Sequence, residues 1–417
     1  MSQILSTPLP LPCGVTLPNR LTKAAMSEGI ANAANHATPR LETLYGHWAR
    51  SGAGLLLSGN IQVDPWHLER PGNVVLEDES GLGALRAMTR AARSGGAHIW
   101  AQLSHTGRQV DSAINPAPLA PSSVEIDVVR GAGFSFAPPG AMTEAQIHHA
   151  IAQFARSATL ARAAGFDGVQ LHAAHGYLFS QFLSPLSNRR TDDWGGSLEN
   201  RARLLLMTVA AVRQAVGPDF PIGIKLNASD FQKGGFTNAE CLTLVAWLNG
   251  SSLDLLELSG GSLEQPKQVG ASMKDEGEDA RPQSTRQREA YFIDFARSAR
   301  TTATMPVMVT GGFRTRAGMI AALEGEELDM IGLGRPLIAA PLTPARLLSG
   351  EIEVAPMPEA GLGLFHLLGW FNTQIERLAD GLAPDLTLDG DQAVAIFQAR
   401  ERQVMADLLA QRARRAA

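Results

Sequence analysis

Short apolar runs recur along the chain at residues 21–26, 55–60, 98–105, 168–173, 222–227, 255–260, 306–312 and 330–334. Most are nearly continuous rather than alternating, the pattern of a parallel strand covered on both faces. A stretch of helical character follows each run, and capping chemistry marks several of its starts. Thr38-Pro39 places a cap before a first-turn proline. Thr143 with Gln146, Thr237 with Glu240, and Ser284 with Gln287 match the capping box, in which side chains satisfy orphan amides reciprocally. Eight alternating strand–helix units predict an α/β fold closed as a (β/α)8 barrel. No Gly-x-Gly-x-x-Gly follows a strand, which disfavours an open dinucleotide-binding sheet.

Two segments lie outside this repeat. Residues 109–142 carry Pro116, Pro118, Pro121, Pro138 and Pro139 with little periodicity, and they follow the third strand. A long insertion at that end of a barrel is expected to form a lid or substrate wall. Beyond residue 350 the spacing predicts helices over 361–379 and 392–413. The first carries Phe365, Leu367, Leu368, Trp370 and Phe371, read as a packing surface against the barrel or against a second subunit, so a homo-oligomer stays open. The expected division is a barrel over 1–349 and a C-terminal helical extension over 350–417.

Composition narrows the class. Of the 417 residues, 45% are hydrophobic and 18% charged, enough for a large core. The formal net charge of −5 and the lack of a basic stripe argue against a nucleic-acid partner. The apolar run 204–212 is too short to span a bilayer. Residues 1–14 have no basic segment ahead of an apolar one, so a cytoplasmic location is expected. Cys13 and Cys241 cannot supply the four thiolates of an ordinary iron–sulfur cluster or an all-cysteine zinc site, and no metal is expected.

In a barrel, chemistry gathers at the carboxyl ends of the strands. These ends read, in order, Ala24-Ala25-Met26-Ser27, Ser58-Gly59-Asn60, Gln102 with His105-Thr106-Gly107-Arg108, His172-Ala173-Ala174-His175-Gly176-Tyr177, Lys225, Ser259-Gly260-Gly261, Thr310-Gly311-Gly312 and Gly332-Leu333-Gly334-Arg335. Polar groups thus cluster at one end of otherwise apolar strands. Gly311, Gly312, Gly334 and Arg335 resemble a phosphate cradle, in which backbone amides approach an anion and a guanidinium grips it. Lys225 interrupts the run 222–226, and a buried ammonium needs an anion or strong acceptor. It is open to three readings: paired to a barrel carboxylate, set as a cation near an electron-rich ring, or acting as a Schiff-base nucleophile. His172 and His175 lack the glutamate and third ligand of a zinc site. With Tyr177 they fit proton chemistry, the imidazoles donating to a carbonyl oxygen and the phenol delivering a proton to carbon.

These residues run into Gln181 and the segment 182–201, Phe-Leu-Ser-Pro-Leu-Ser-Asn-Arg-Arg-Thr-Asp-Asp-Trp-Gly-Gly-Ser-Leu-Glu-Asn-Arg. The whole stretch closely resembles the signature of old yellow enzyme-like NADH:flavin oxidoreductases. The segments 17–21, 102–108 and 332–335 are similar too, so the resemblance covers roughly residues 5–345. It implies FMN held non-covalently in the barrel mouth and NADH or NADPH as hydride donor. By this resemblance Ala24, Ala25, Met26 and Ser27 line the flavin, with Ser27 near O4. Gly59 gives a backbone contact and Gln102 bonds the pyrimidine edge. His172 and His175 hold the substrate's electron-withdrawing oxygen, and His172 also borders the flavin. Tyr177 is the proton donor. Gly311, Gly312, Gly334 and Arg335 hold the phosphate. Lys225 stands where many members carry arginine, and meets the N1 and C2=O edge as a point charge without the planar fork. Larger relatives append a cluster and a second nucleotide-binding domain, for which two cysteines do not suffice.

Three functions follow for testing. The first is an FMN-dependent NAD(P)H oxidoreductase reducing activated C=C bonds in small enone-like substrates. The second is a Schiff-base lyase using Lys225. The third is a flavin-binding protein without turnover.

Overall fold

Apolar runs that look continuous in the sequence resolve in space into two faces. The computed structural model describes residues 3–126, 135–261, 264 and 293–416. Eight parallel strands close into a barrel: β1 Leu21–Lys23, β2 Leu55–Gln62, β3 His98–Ser104, β4 Gly168–Ala173, β5 Ile222–Asn227, β6 Leu255–Ser259, β7 Val307–Thr310 and β8 Met330–Leu333. Each strand pairs with the next, and β8 returns to β1. Residues pointing outward, such as Leu103, Leu171, Ile224, Leu258 and Val309, pack in one core beneath the helices. Residues pointing inward change along each strand. At the lower end Leu55, Leu57, Trp100, Leu255, Met308 and Met330 form a separate apolar cluster. Leu9, Leu11 and Leu17, from a short antiparallel hairpin, close it from below. The indole of Trp100 crosses the barrel. A Cβ on Gly168 would sit 2.7 Å from it, and one on Gly223 would press on it at 3.0 Å, so the ring packs against glycine backbone on both strands.

The helices are α1 Pro39–Ala49, α2 Leu82–Arg93, α3 Glu144–Ala163, α4 Leu178–Leu183, α5 Leu198–Val216, α6 Asn238–Leu248, α7 Ile293–Thr302, α8 Arg316–Glu324, α9 Arg335–Ala339, α10 Thr343–Ser349, α11 Leu364–Ala379 and α12 Gly390–Ala416. The capping boxes at Thr143 and Thr237 form as the sequence predicts. Ser284–Gln287 lies outside the described residues, as do residues 127–134 of the 109–142 insertion. Thr38 departs from expectation: its hydroxyl donates to Ile30 O at 3.0 Å, and Pro39 alone starts α1. Strand β1 is only three residues long, whereas β2 runs on to Gln62 across a register shift between Leu57 and Asn60. Strand β7 stops at Thr310 because Gly311 and Gly312 take φ of 112° and 86°.

Trp370 and Phe371 of α11 join the outer core against α1 and α9, while Leu368 stays 52% exposed. Helix α12 crosses the loops that leave β2 and β3. Leu408 and Met405 pack on Leu68, Val75, Val110 and Ile114. Arg412 donates to Ile114 O at 2.7 Å and to Pro65 O, with its guanidinium 4.3 Å from the Trp66 ring centroid. Among the described residues no helix is long and apolar enough to cross a membrane.

Candidate active site

Two residues above the Trp100 layer the barrel interior becomes polar. Gln102 Nε2 donates to Gln170 Oε1 at 2.8 Å, and Gln170 Nε2 donates to Glu257 Oε2 at 2.7 Å. Lys225 Nζ lies 3.0 Å from Glu257 Oε1, with both side chains almost wholly buried. This pairing meets the first reading of Lys225: its ammonium has a carboxylate partner. Glu257 carries the same signal as Lys225, a charge inside an apolar run, and sequence reasoning passed over it.

One layer higher stand His172, Asn227 and Ser259. The turn after β4 carries positive φ at His175 (62°) and Gly176 (77°), which folds His175 and Tyr177 back over His172. The rings of His172 and His175 lie 5.0 Å apart, and those of His172 and Tyr177 4.8 Å. Asn227 Oδ1 accepts from the His175 amide at 3.1 Å, and Ser259 Oγ meets His175 Nε2 at 2.8 Å. His172 Nδ1 accepts from the Ala174 amide at 3.3 Å, so the neutral ring carries its proton on Nε2. Burial, then the Lys225 charge, holds both imidazoles well below the usual range and keeps them neutral. Burial, then Glu69, pushes the Tyr177 phenol well up. Gln181 braces the turn, donating to Thr106 O at 2.8 Å and Gly176 O at 2.7 Å.

The opposite wall comes from β1 and β2. Ala24 N donates to Leu333 O at 2.9 Å, Ala25 packs on the inner apolar cluster, and Met26 borders Gly334. Ser27 Oγ donates to Asn60 Oδ1 at 3.3 Å. The Gly59 amide donates to Glu28 Oε1 at 2.8 Å, and a Cβ on Gly59 would overlap the Glu28 carboxylate. Glu28 also accepts from Tyr45 Oη. Behind them Lys23 is fully buried, donating to Leu57 O at 2.6 Å and lying 4.2 Å from the Trp48 ring centroid. Burial lowers its pKa to about 8.

At the ends of β7 and β8, a Cβ on Gly311 would meet open space, so its backbone is accessible to a ligand. Arg335 is 34% exposed, with Glu359 as a distant partner at 3.9 Å. Arg314 donates to the same Glu359 oxygen at 2.6 Å. Two guanidiniums beside open glycine backbone fit an anionic phosphate. Arg314 and Glu359 were not foreseen; Arg314 lies two residues past the glycine pair and Glu359 in an aperiodic segment.

Asp64, His67 and His105 also come together, with one potential ligand atom from each within 4.8 Å of the others. His67 Nδ1 faces Asp64 at 3.1 Å while its Nε2 accepts from the Leu119 amide. His105 Nδ1 accepts from the Gly107 amide, and the two rings stack 4.1 Å apart at 28°.

A (β/α)8 barrel with a polar mouth and with two neutral imidazoles and a phenol at its strand ends has the form in which barrel enzymes build their active sites. Residues 5–352 match the NADH:flavin oxidoreductase / NADH oxidase family, and the chain belongs to it. It is 38% identical over 354 residues to an NADH-dependent flavin oxidoreductase of Aspergillus parasiticus, covering 82% of this chain and 77% of that one. An NADH oxidase of Thermoanaerobacter brockii is 31% identical over 80% of this chain, which spans only 49% of that longer protein. Among solved structures, morphinone reductase in complex with tetrahydroNAD superposes with a TM-score of 0.68 at 26% identity, over 85% of this chain and 93% of that one. An old yellow enzyme homologue from Zymomonas mobilis shares the fold, with a TM-score of 0.71 at 24% identity over 85% and 95%. The protein is an FMN-dependent oxidoreductase that uses NAD(P)H.

Proposed function

We propose that the enzyme reduces carbon–carbon double bonds activated by a neighbouring electron-withdrawing oxygen, in small enone-like substrates. The observation that carries this reading is the grouping of two neutral imidazoles and a protonated phenol on one turn above the polar layer. FMN supplies hydride once NAD(P)H has reduced it. The phosphate falls to Gly311, Gly312, Gly334 and Arg335, and the flavin ring to Ala24, Ala25, Met26, Ser27, Gln102 and Lys225. Because Gln102 commits Nε2 to Gln170, a pyrimidine N–H would meet its Oε1. The Gly59 amide is taken by Glu28 and its carbonyl accepts from Ser58 Oγ at 2.7 Å, so a backbone contact there would use the carbonyl's second lone pair.

His172 presents Nε2–H to the substrate oxygen, with His175 beside it, and both steady the charge that develops there. Tyr177 gives its proton to the α-carbon while the hydride reaches the β-carbon. Lys225, ion-paired with Glu257, acts as a fixed positive charge. An ammonium held in that pair is a poor nucleophile, which supports electrostatic work over a Schiff base.

The Tyr177→Phe variant tests the reading, since it removes only the hydroxyl. Flavin reduction by NAD(P)H should stay near normal in stopped flow, while reoxidation by an enone should slow by roughly 10²–10⁴-fold. A variant that loses the reductive half-reaction and keeps the enone step would overturn the assignment. Borohydride trapping of a substrate adduct on Lys225 would favour the lyase instead.

A further inference from the structure

A carboxyl group that no motif marks reaches the proton donor from the far wall. Glu69 sits in the loop leaving β2, half-buried, and hydrogen-bonds Ser27. Asn73 Nδ2 lies 3.4 Å from Glu69 Oε2 and donates to Asn60 Oδ1 at 3.0 Å. Asn60 in turn hydrogen-bonds Tyr177. The loop is built to hold this place. Arg70 N donates to Asn73 Oδ1 at 2.8 Å, Asn35 Nδ2 donates to Pro71 O and Asn73 O, and Ala31 N donates to Gly72 O. From outside, the Arg70 guanidinium donates to Asn372 of α11 and, at 2.6 Å, to Glu401 of α12. The C-terminal helices therefore brace the loop that carries Glu69.

We propose that Glu69 is a positioning residue for proton transfer by Tyr177: its carboxyl, held between Ser27 and Asn73, sets the charge beside the phenol, so that substrate protonation runs while Glu69 is uncharged and slows once the carboxylate forms. The inference rests on Tyr177 being the proton donor. In that step the Tyr177 O–H bond breaks and a C–H bond forms at the α-carbon. The O–H electron pair stays on the phenolate; the hydride brings the pair of the new C–H bond at the β-carbon, and the former C=C π pair meets the proton at the α-carbon. An adjacent carboxylate opposes the growing phenolate charge; a neutral carboxyl does not.

The charged groups around Glu69 are few. Arg70 adjoins it and favours the carboxylate, but its guanidinium is turned to Glu401 and Asn372, with Glu376 also facing it. Glu401 of α12 and the incipient charge on Tyr177 oppose the carboxylate. Glu28 is held by Tyr45 and the Gly59 amide, and Lys23 by Leu57 O. Burial outweighs Arg70, and Glu69 stands above the usual carboxyl range.

The test is stopped-flow reoxidation of the reduced, FMN-loaded full chain by 2-cyclohexenone, across roughly pH 5 to 9, between ordinary carboxyl and phenol titration. The wild type should show a rate that falls as pH rises, by about tenfold or more between plateaus. Glu69→Gln should hold the low-pH rate throughout. Reoxidation by a quinone, which protonates no carbon, should have the same pH profile in both proteins. A Glu69→Gln profile like the wild type's, or a change in the quinone profile as large as in the enone profile, overturns the proposal. Should Glu69→Gln fail to yield FMN-loaded protein, Glu69→Asp decides: its shorter carboxyl must move the midpoint, and an unmoved midpoint overturns the idea. Tyr177→Phe in the same series separates the two readings. If it leaves the enone step fast, the parent assignment fails; if it slows that step while Glu69→Gln behaves as wild type, only the Glu69 role fails.

Discussion

The floor and the mouth of the barrel are built on the same strands, often two residues apart, yet they do opposite work. Trp100 and Gln102 both point inward from β3, Gly223 and Lys225 from β5, Leu255 and Glu257 from β6. Below, close packing needs no partner except shape. Above, each buried polar group is held by the next, from Gln102 through Gln170 and Glu257 to Lys225. The difference teaches where such a fold tolerates expense: the apolar floor fixes the strand ends, so the mouth can keep a buried charge pair and two desolvated imidazoles in place.

The sharpest way to break this division is at the floor. Trp100→Ala should lower unfolding stability by about 3–5 kcal/mol, because Gly168 and Gly223 leave a void that cannot collapse. Urea denaturation measures the loss, and the folded fraction should still bind FMN. Wild-type stability would mean that the floor does not carry the strand ends. At the mouth, Glu257→Gln strands the Lys225 charge and should cost roughly 2–5 kcal/mol. The double variant Lys225→Met with Glu257→Leu should lose less than the two single changes together. Additive losses in that cycle would mean the pair is not coupled.

A smaller effect is expected at the cradle. Arg335→Ala removes a charge-assisted contact worth about 1.5–3 kcal/mol, so FMN affinity should fall by about tenfold or more. Fluorescence titration of the apoprotein with FMN gives the value, and unchanged affinity would remove Arg335 from the phosphate site. The smallest step concerns pH. Burial lowers His105 to about 3, and holds His172 and His175 well below their ordinary range. Below about pH 6.5 the unfolded chain takes up protons that these folded rings refuse, so stability falls with falling pH, by about 1.4 kcal/mol per pH unit for each ring. Replacing His105 with Asn should flatten the apoprotein's stability curve by that slope between about pH 6.5 and 3. An unchanged slope would show that His105 is protonated in the fold.

Much of this was readable beforehand. The eight runs give the eight strands, and His172, His175 and Tyr177 meet because five intervening bonds of chain fold in a tight turn. The two-residue alternation was hidden because the outward face and the lower inward face are both apolar, so only Lys225 and Glu257 betray it. Glu257 interrupts Leu255-Leu256 and Leu258 as plainly as Lys225 interrupts its own run. Glu69 and Asn73 left no such trace. Glu69 and Asn73 are brought to Asn60 of β2 by an aperiodic loop and by Arg70's contacts with helices 300 residues away in sequence, as the separations of 302 and 331 residues show. The reach of α12 over the mouth was likewise invisible, since nothing in its spacing says which surface it covers.

That reach has a consequence for the order of events during synthesis. Arg70, Trp66 and Ile114 emerge from the ribosome long before Glu401, Leu408 and Arg412, which later hold the loops on which they stand. The barrel strands can all pair once residue 333 has emerged, whereas the wall that carries Glu69 gains its outer braces about 70–80 residues later, several seconds at ordinary rates of translation. The nascent enzyme therefore passes through an interval in which the barrel strands can pair while the loops at the mouth still lack their outer braces.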